Sequence, residues 1–209
     1  MSGADLRQDI AQYVHSKVSR LQREYARGGE QPTAYGASTM AALRRADPNM
    51  PGNEPAVWEI TLGELPDSLA GSSRNDRPSQ AEKAIHAALC LYAVHQQSRS
   101  DGVHRPGTRF GQAVRQLAWE RGDKKELDSS VIAKFHQAGS AATERRRLAV
   151  MRTLLTLMRA ERSAGIGLDY GLLACDLYDL SSPRSASRVR LSWGRDLRRR
   201  RGDVETASA

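Results

Sequence analysis

SQAEKAIHAALCLYAVHQQ, residues 79–97, decides how the rest of the chain is read. Ser79, followed three residues later by Glu82, is a capping box: the two side chains satisfy free backbone N–H groups reciprocally and start a helix. Beyond it the run is apolar nearly all round. A surface helix keeps one polar face, so a helix without one belongs at the centre. The pattern predicts a central helix with others arrayed about it.

The segments to either side supply those others. Residues 4–26 place Leu6, Ile10, Tyr13, Val14, Val18, Leu21 and Tyr25 at three- and four-residue steps, a helix with one apolar face. GGEQPTAYG interrupts it, and a short helix is expected from Ser38 to Ala46, ended by Pro48 to Gly52. Pro55 opens a further short helix, PAVWEITLGEL, in keeping with proline at a first helical turn. LPDSLAGSSRNDRP is a polar loop leading to the capping box. Past the central helix, TRFGQAVRQLAWER presents Phe110, Val114 and Leu117 on one side. RGDKKELDSS reads as a boundary, which predicts an N-terminal lobe over 1–121, a C-terminal lobe with a basic face over 122–202, and a tail over 203–209. In the second lobe VIAKFHQA ends at Gly139 as a C-cap. Thr143 to Arg162 carries Leu148, Met151, Leu154, Leu155 and Met158 on one side, and Asp169 caps YGLLACDLYDL before Pro183. No run of alternating strands and no internal repeat is present. The fold class is all-α, as two packed helical bundles.

Charge is segregated along this framework. The chain of 209 residues has a net charge of +8, and arginine far outnumbers lysine. Residues 46–80 carry six acidic and two basic side chains, a sum of −4, whereas residues 181–201 carry eight arginines and one aspartate, a sum of +7. In VRLSWGRDLRRRR, residues 189–201, Val189, Trp193 and Leu197 recur every fourth position, which a solvated tail has no reason to maintain. At 100° per residue Arg188, Arg195 and Arg199 fall within about 40° of one another on another side. Arg145, Arg152 and Arg159, seven apart, form a second stripe at roughly 10 Å intervals. Rows of guanidinium groups suit a polyanion, because each phosphate contact releases counterions without reading sequence. Trp58, Trp119 and Trp193 occupy apolar helix positions and read mostly as core, so no base-stacking platform is evident.

Motifs for catalysis are missing. There is no GxxxxGK[ST], GxGxxG after a strand, GxSxG or HExxH, and His15, His86, His95, His104 and His136 have no ligand spacing. Cys90 and Cys175 lie in apolar helical segments and read as buried free thiols. A non-enzyme without metal or cofactor is expected. No stretch of eighteen apolar residues would span a membrane, and MSGADLRQDI carries charge where a signal peptide needs an apolar run, so the cytoplasm is the expected location.

Several segments taken in order carry a resemblance: MAALRRADPN followed by EPAVWEITL, AALCLYAVHQQS followed by TRFGQAVRQL, LDYGLLACDLYDL, and RVRLSWGRDL. Together they resemble the CasB family, the small subunit of the type I-E CRISPR Cascade complex. The resemblance implies a helical, two-lobed subunit present as two copies, lying along the crRNA-bearing backbone and cutting nothing. Its partners would be crRNA, the target and displaced DNA strands, the other Cascade subunits and a second copy of itself. In such complexes the guide reads sequence by pairing while protein holds the heteroduplex and the displaced strand. Arg44 and Arg45 match the family's paired arginines, and Arg188, Arg190 and Arg195 match its basic C-terminal motif. Lys134-Phe135 stands where family members usually show arginine–phenylalanine, and lysine can still meet phosphate as a point charge. The expected function is a sequence-nonspecific nucleic-acid scaffold that stabilises the R-loop. The alternative is a purely protein–protein module in which the arginines meet acidic neighbours such as segment 46–80. A helix-turn-helix regulator fits poorly, because the helix after GSAATERRR is strongly apolar.

Overall fold

A computed structural model describes residues 3–28, 30–71, 77–123, 126–161 and 164–198. Among these residues every regular element is helical: α1 (Gly3–Tyr25), α2 (Ala34–Arg45), a 3-10 turn (Pro55–Val57), α3 (Trp58–Thr61), α4 (Gln80–Gln96), α5 (Phe110–Arg121), α6 (Ser129–Ser140), α7 (Glu144–Ala160), α8 (Tyr170–Leu180) and α9 (Pro183–Arg198). The all-α class is the observed one.

The capping box performs as its residues dictate. Ser79 Oγ accepts from the Glu82 amide at 3.0 Å, and Glu82 Oε2 accepts from the Ser79 amide at 2.6 Å. Fourteen of the 17 residues of α4 are buried, so this helix is the central one. Around it pack α1, α2, α3, α7 and α8, while α5 and α9 pair with each other and α6 joins α5 to α7. Buried apolar residues from all the long helices form one continuous cluster. Two of the closest approaches depend on glycine. A Cβ at Gly171 would lie 2.6 Å from the Ala11 carbonyl on α1, and one at Gly111 would lie 2.7 Å from Asp196 Cβ on α9.

Several boundaries differ from those read locally. α2 starts at Ala34, four residues before the expected Ser38, because Thr33 accepts from the Gly36 amide and is itself tied to Glu24. α6 runs through Gly139 to Ser140, so Gly139 is a helical residue and not a C-cap. Asp128 starts that helix by accepting from the Ser130 and Val131 amides. After Pro55 only a 3-10 turn and one α-turn form. Such a short element leaves Trp58 48% exposed, its indole N–H donating to the Gly52 carbonyl at 2.8 Å. Trp119 is half-buried, and of the three tryptophans only Trp193 is a core residue. Cys90 and Cys175 are free and buried. Burial pushes the Cys90 thiol up to about 12 and the Cys175 thiol up to about 11, so both stay protonated and pack as small apolar groups.

Candidate nucleic-acid interface

α7 buries Leu148, Met151, Leu154, Leu155 and Met158 completely, and its arginine stripe runs along the flank of that face, about 100° from its middle. The three arginines of the stripe meet different fates. Arg145 is exposed and pairs with Asp47 across 3.4 Å. Arg159, half-buried, donates to the side-chain oxygen of Gln97 at the end of α4. Arg152 is exposed, and its guanidinium makes no hydrogen bond or ion pair among the described residues. The sequence stripe is real as a geometric row, but its two ends also fasten α7 to other elements. Next to it Arg147 is buried and donates to the Ala141 carbonyl at 3.0 Å, and desolvation lowers its affinity for the proton.

α9 is held chiefly by one side chain. Trp193 is 2% exposed, lies 5.1 Å from the Phe110 ring and stacks on Phe135 at 5.5 Å. Its indole N–H donates to Asp176 Oδ2 at 2.7 Å. Polar anchors surround it: Arg109 with Asp196 at 3.2 Å, and Arg115 Nη1 donating to the Leu197 carbonyl at 3.2 Å. With Ala186, Val189 and Trp193 facing inward, the outward face carries Arg184, Arg188, Leu191, Arg195 and Arg198, all exposed. These five span about 80° of the helix circumference. Arg188 is 3.6 Å from the buried Asp179 carboxylate, which Arg7 also binds. Arg195 has no such partner among the described residues. Arg190 is exposed and spends its Nε–H on the Gly139 carbonyl at 2.8 Å, so it also caps the end of α6.

The remaining expected residues are scattered. Arg45 is exposed at the end of α2, whereas Arg44 is half-buried with Nη1 enclosed and no acceptor for it among the described residues. Lys134 is half-buried on α6. Arg199 lies outside the described residues. The structure thus gathers Arg188 and Arg195 on one face and adds Arg184 and Arg198, which local reading had passed over. Pro183 was the available signal: proline at a first helical position would have started α9 there and put Arg184 on the stripe. Exposed Arg146 beside the α7 row was passed over as well.

Residues 39–197 match the family model for CRISPR-associated protein Cse2. The chain belongs to the Cse2 family. Its membership points to a subunit of the CRISPR Cascade complex. CasB from Thermobifida fusca has a similar crystal structure, with a TM-score of 0.71 and 32% sequence identity over 91% of this chain and 98% of that one. The comparison with curated proteins gives no match. The Cse2-matched span includes every expected arginine except Arg199, and also Arg184. Among the described residues no helix is long and apolar enough to cross a membrane, and no three His, Cys, Asp or Glu side chains converge as metal ligands would.

Proposed function

We propose that the chain is a non-catalytic small subunit of the type I-E Cascade complex in the cytoplasm. It binds nucleic acid through phosphates, without sequence preference, and so steadies the crRNA–target R-loop and the displaced strand in antiviral defence. One observation carries this reading: the outward face of a docked helix, α9, displays four exposed arginines in a row. A rigid row of cations neutralises successive phosphates without paying for the ordering of a loose tail. Arg45, Arg152 and Arg146 extend the cationic surface, and Arg44, Lys134, Arg145, Arg159 and Arg190 contribute charge while also serving internal contacts.

In the assembled complex with its crRNA, replacing Arg188, Arg195 and Arg199 by alanine should weaken target-DNA binding at least tenfold near physiological salt. The log–log salt slope should fall by about 2, because each lost phosphate contact removes slightly less than one unit. Unchanged affinity and slope would overturn the reading. A second reading, a protein–protein module, draws on the acidic segment 46–80 with exposed Met50 and Trp58. Gel-shift of the isolated chain separates the two, since phosphate binding needs no partner subunit.

A further inference from the structure

A cleft of about 480 Å³ opens between α6 and α9. Phe135, Gly139, Arg190, Trp193, Gly194 and Leu197 line it, with His136 and Ser140 on the α6 side. Its aromatic floor is immobilised, because the Phe135 and Trp193 rings stack at 29° and the indole N–H is held by Asp176.

Two helical glycines form part of the walls, Gly139 on α6 and Gly194 on α9. Glycine disfavours a helix, and inside one it ordinarily marks a close approach of another backbone, as Gly111 does here. At Gly139 and Gly194 a Cβ would meet nothing within 4 Å. Neither glycine makes room for this chain's own atoms. What their missing side chains leave is an open slot between two rigid helices.

Charge defines the occupant. No carboxylate lines the cleft, and its one permanent cation is Arg190, held to Gly139 through Nε alone. Exposed Arg198, one turn beyond Gly194 and about 40° from it, is the next cation on the same helix. A flat, uncharged ring joined to an anionic backbone matches an apolar slot with Arg190 in its wall and Arg198 at its rim. We infer that the α6–α9 cleft receives an unpaired nucleobase of a single strand whose adjoining phosphates meet Arg190 and Arg198. A base inside a duplex has both faces stacked and cannot enter, so the site selects the unpaired strand over the heteroduplex. The inference rests on the phosphate-binding role proposed above and adds a base-binding subsite to it.

The test compares a 12-residue thymidine oligonucleotide with an abasic 12-mer carrying the same phosphates, each titrated into the full chain by fluorescence anisotropy. The wild type should prefer the thymidine strand about tenfold, within the range that contact with one base supplies. Gly194→Leu fills the slot, removes no charge and improves helix propensity. It should bind the abasic strand with unchanged affinity and salt slope while its preference falls below about twofold. Gly139→Leu, from the opposite wall, should do the same, and thermal melts confirm that both variants are folded. Equal binding of the two strands by the wild type, or a preference that survives both substitutions, overturns the subsite and leaves the phosphate role standing. Binding of neither strand defeats both. If the substitutions leave the preference intact but alter sedimentation or assembly with the other Cascade subunits, the cleft is a protein contact and the assignment fails.

Discussion

α7 and α9 both bury an apolar side and turn arginines outward, yet they are fixed by opposite means. α7 inserts five fully buried aliphatic or thioether side chains and uses the ends of its arginine row, Arg145 and Arg159, to reach Asp47 and Gln97. α9 buries little beyond Trp193, Val189 and Ala186, and depends on the bond from Trp193 to Asp176 and on ion pairs around it. In consequence the α7 row is partly consumed as internal fastening, whereas most of the α9 row is left for another molecule. An arginine stripe is therefore a candidate interface only to the degree that nothing across from it has claimed the charge.

The largest expected effect bears on how α9 is held. Trp193→Ala removes the indole from between Phe110 and Phe135 and leaves the Asp176 carboxyl without its donor. Urea unfolding should show a loss of about 3–5 kcal/mol. A loss below 1 kcal/mol would mean that α9 is not docked through this residue, and the contrast with α7 would disappear.

Next in size is a difference in pH dependence between the two regions. Near the α7 end, burial and then the Arg99 charge push the His95 imidazole down to about 3. The folded chain keeps it neutral where the unfolded chain would protonate it, so its contribution is complete above pH 6.5 and is lost as pH falls toward 3. His86 and His104, both lowered chiefly by burial, act in the same direction. Under α9, burial raises the Asp176 carboxyl against the lowering by its Trp193 donor. Its contribution has the opposite sign, complete below the ordinary carboxylate value and lost as pH rises through the raised one. Unfolding free energies from urea titration should thus fall by on the order of 2–3 kcal/mol between pH 7 and 4.5, at about 1.4 kcal/mol per pH unit for one group. His95→Asn should flatten that limb. Asp176→Asn, whose carbonyl still accepts the indole N–H, should leave stability at pH 7 unchanged or higher. A marked loss there would make the Asp176 charge a stabilising one.

The smallest effects divide the α7 row itself. Arg159→Ala should cost about 1 kcal/mol through its lost bond to Gln97. Arg152→Ala should stay within about 0.5 kcal/mol, yet lower the salt slope for single-stranded DNA by up to about 0.7. The reverse ranking, with Arg152 mattering to folding and Arg159 only to binding, would erase the distinction between fastened and free arginines.

Much of the fold was legible because helical periodicity is local. Ile10, Val14, Val18 and Leu21 on α1, and Leu148 to Met158 on α7, are buried where their spacing placed them. The caps at Ser79 and Asp169 also stand where expected, since capping involves neighbours two or three residues away. Trp58 was misread for the same reason that the others were read well: periodicity assumes a helix long enough to dock, and Pro55 starts one of a single turn.

By itself the sequence determined the helical class, the central place of α4, the segregation of charge and the rows on which the arginines stand. All of these follow from the 3.6-residue repeat and from side-chain type. Only tertiary structure decided which guanidinium groups are free. Asp47 lies 98 residues from Arg145, and Gln97 lies 62 from Arg159. The open slot between Gly139 and Gly194 was equally hidden, because a gap belongs to two helices at once and no single stretch of chain encodes it.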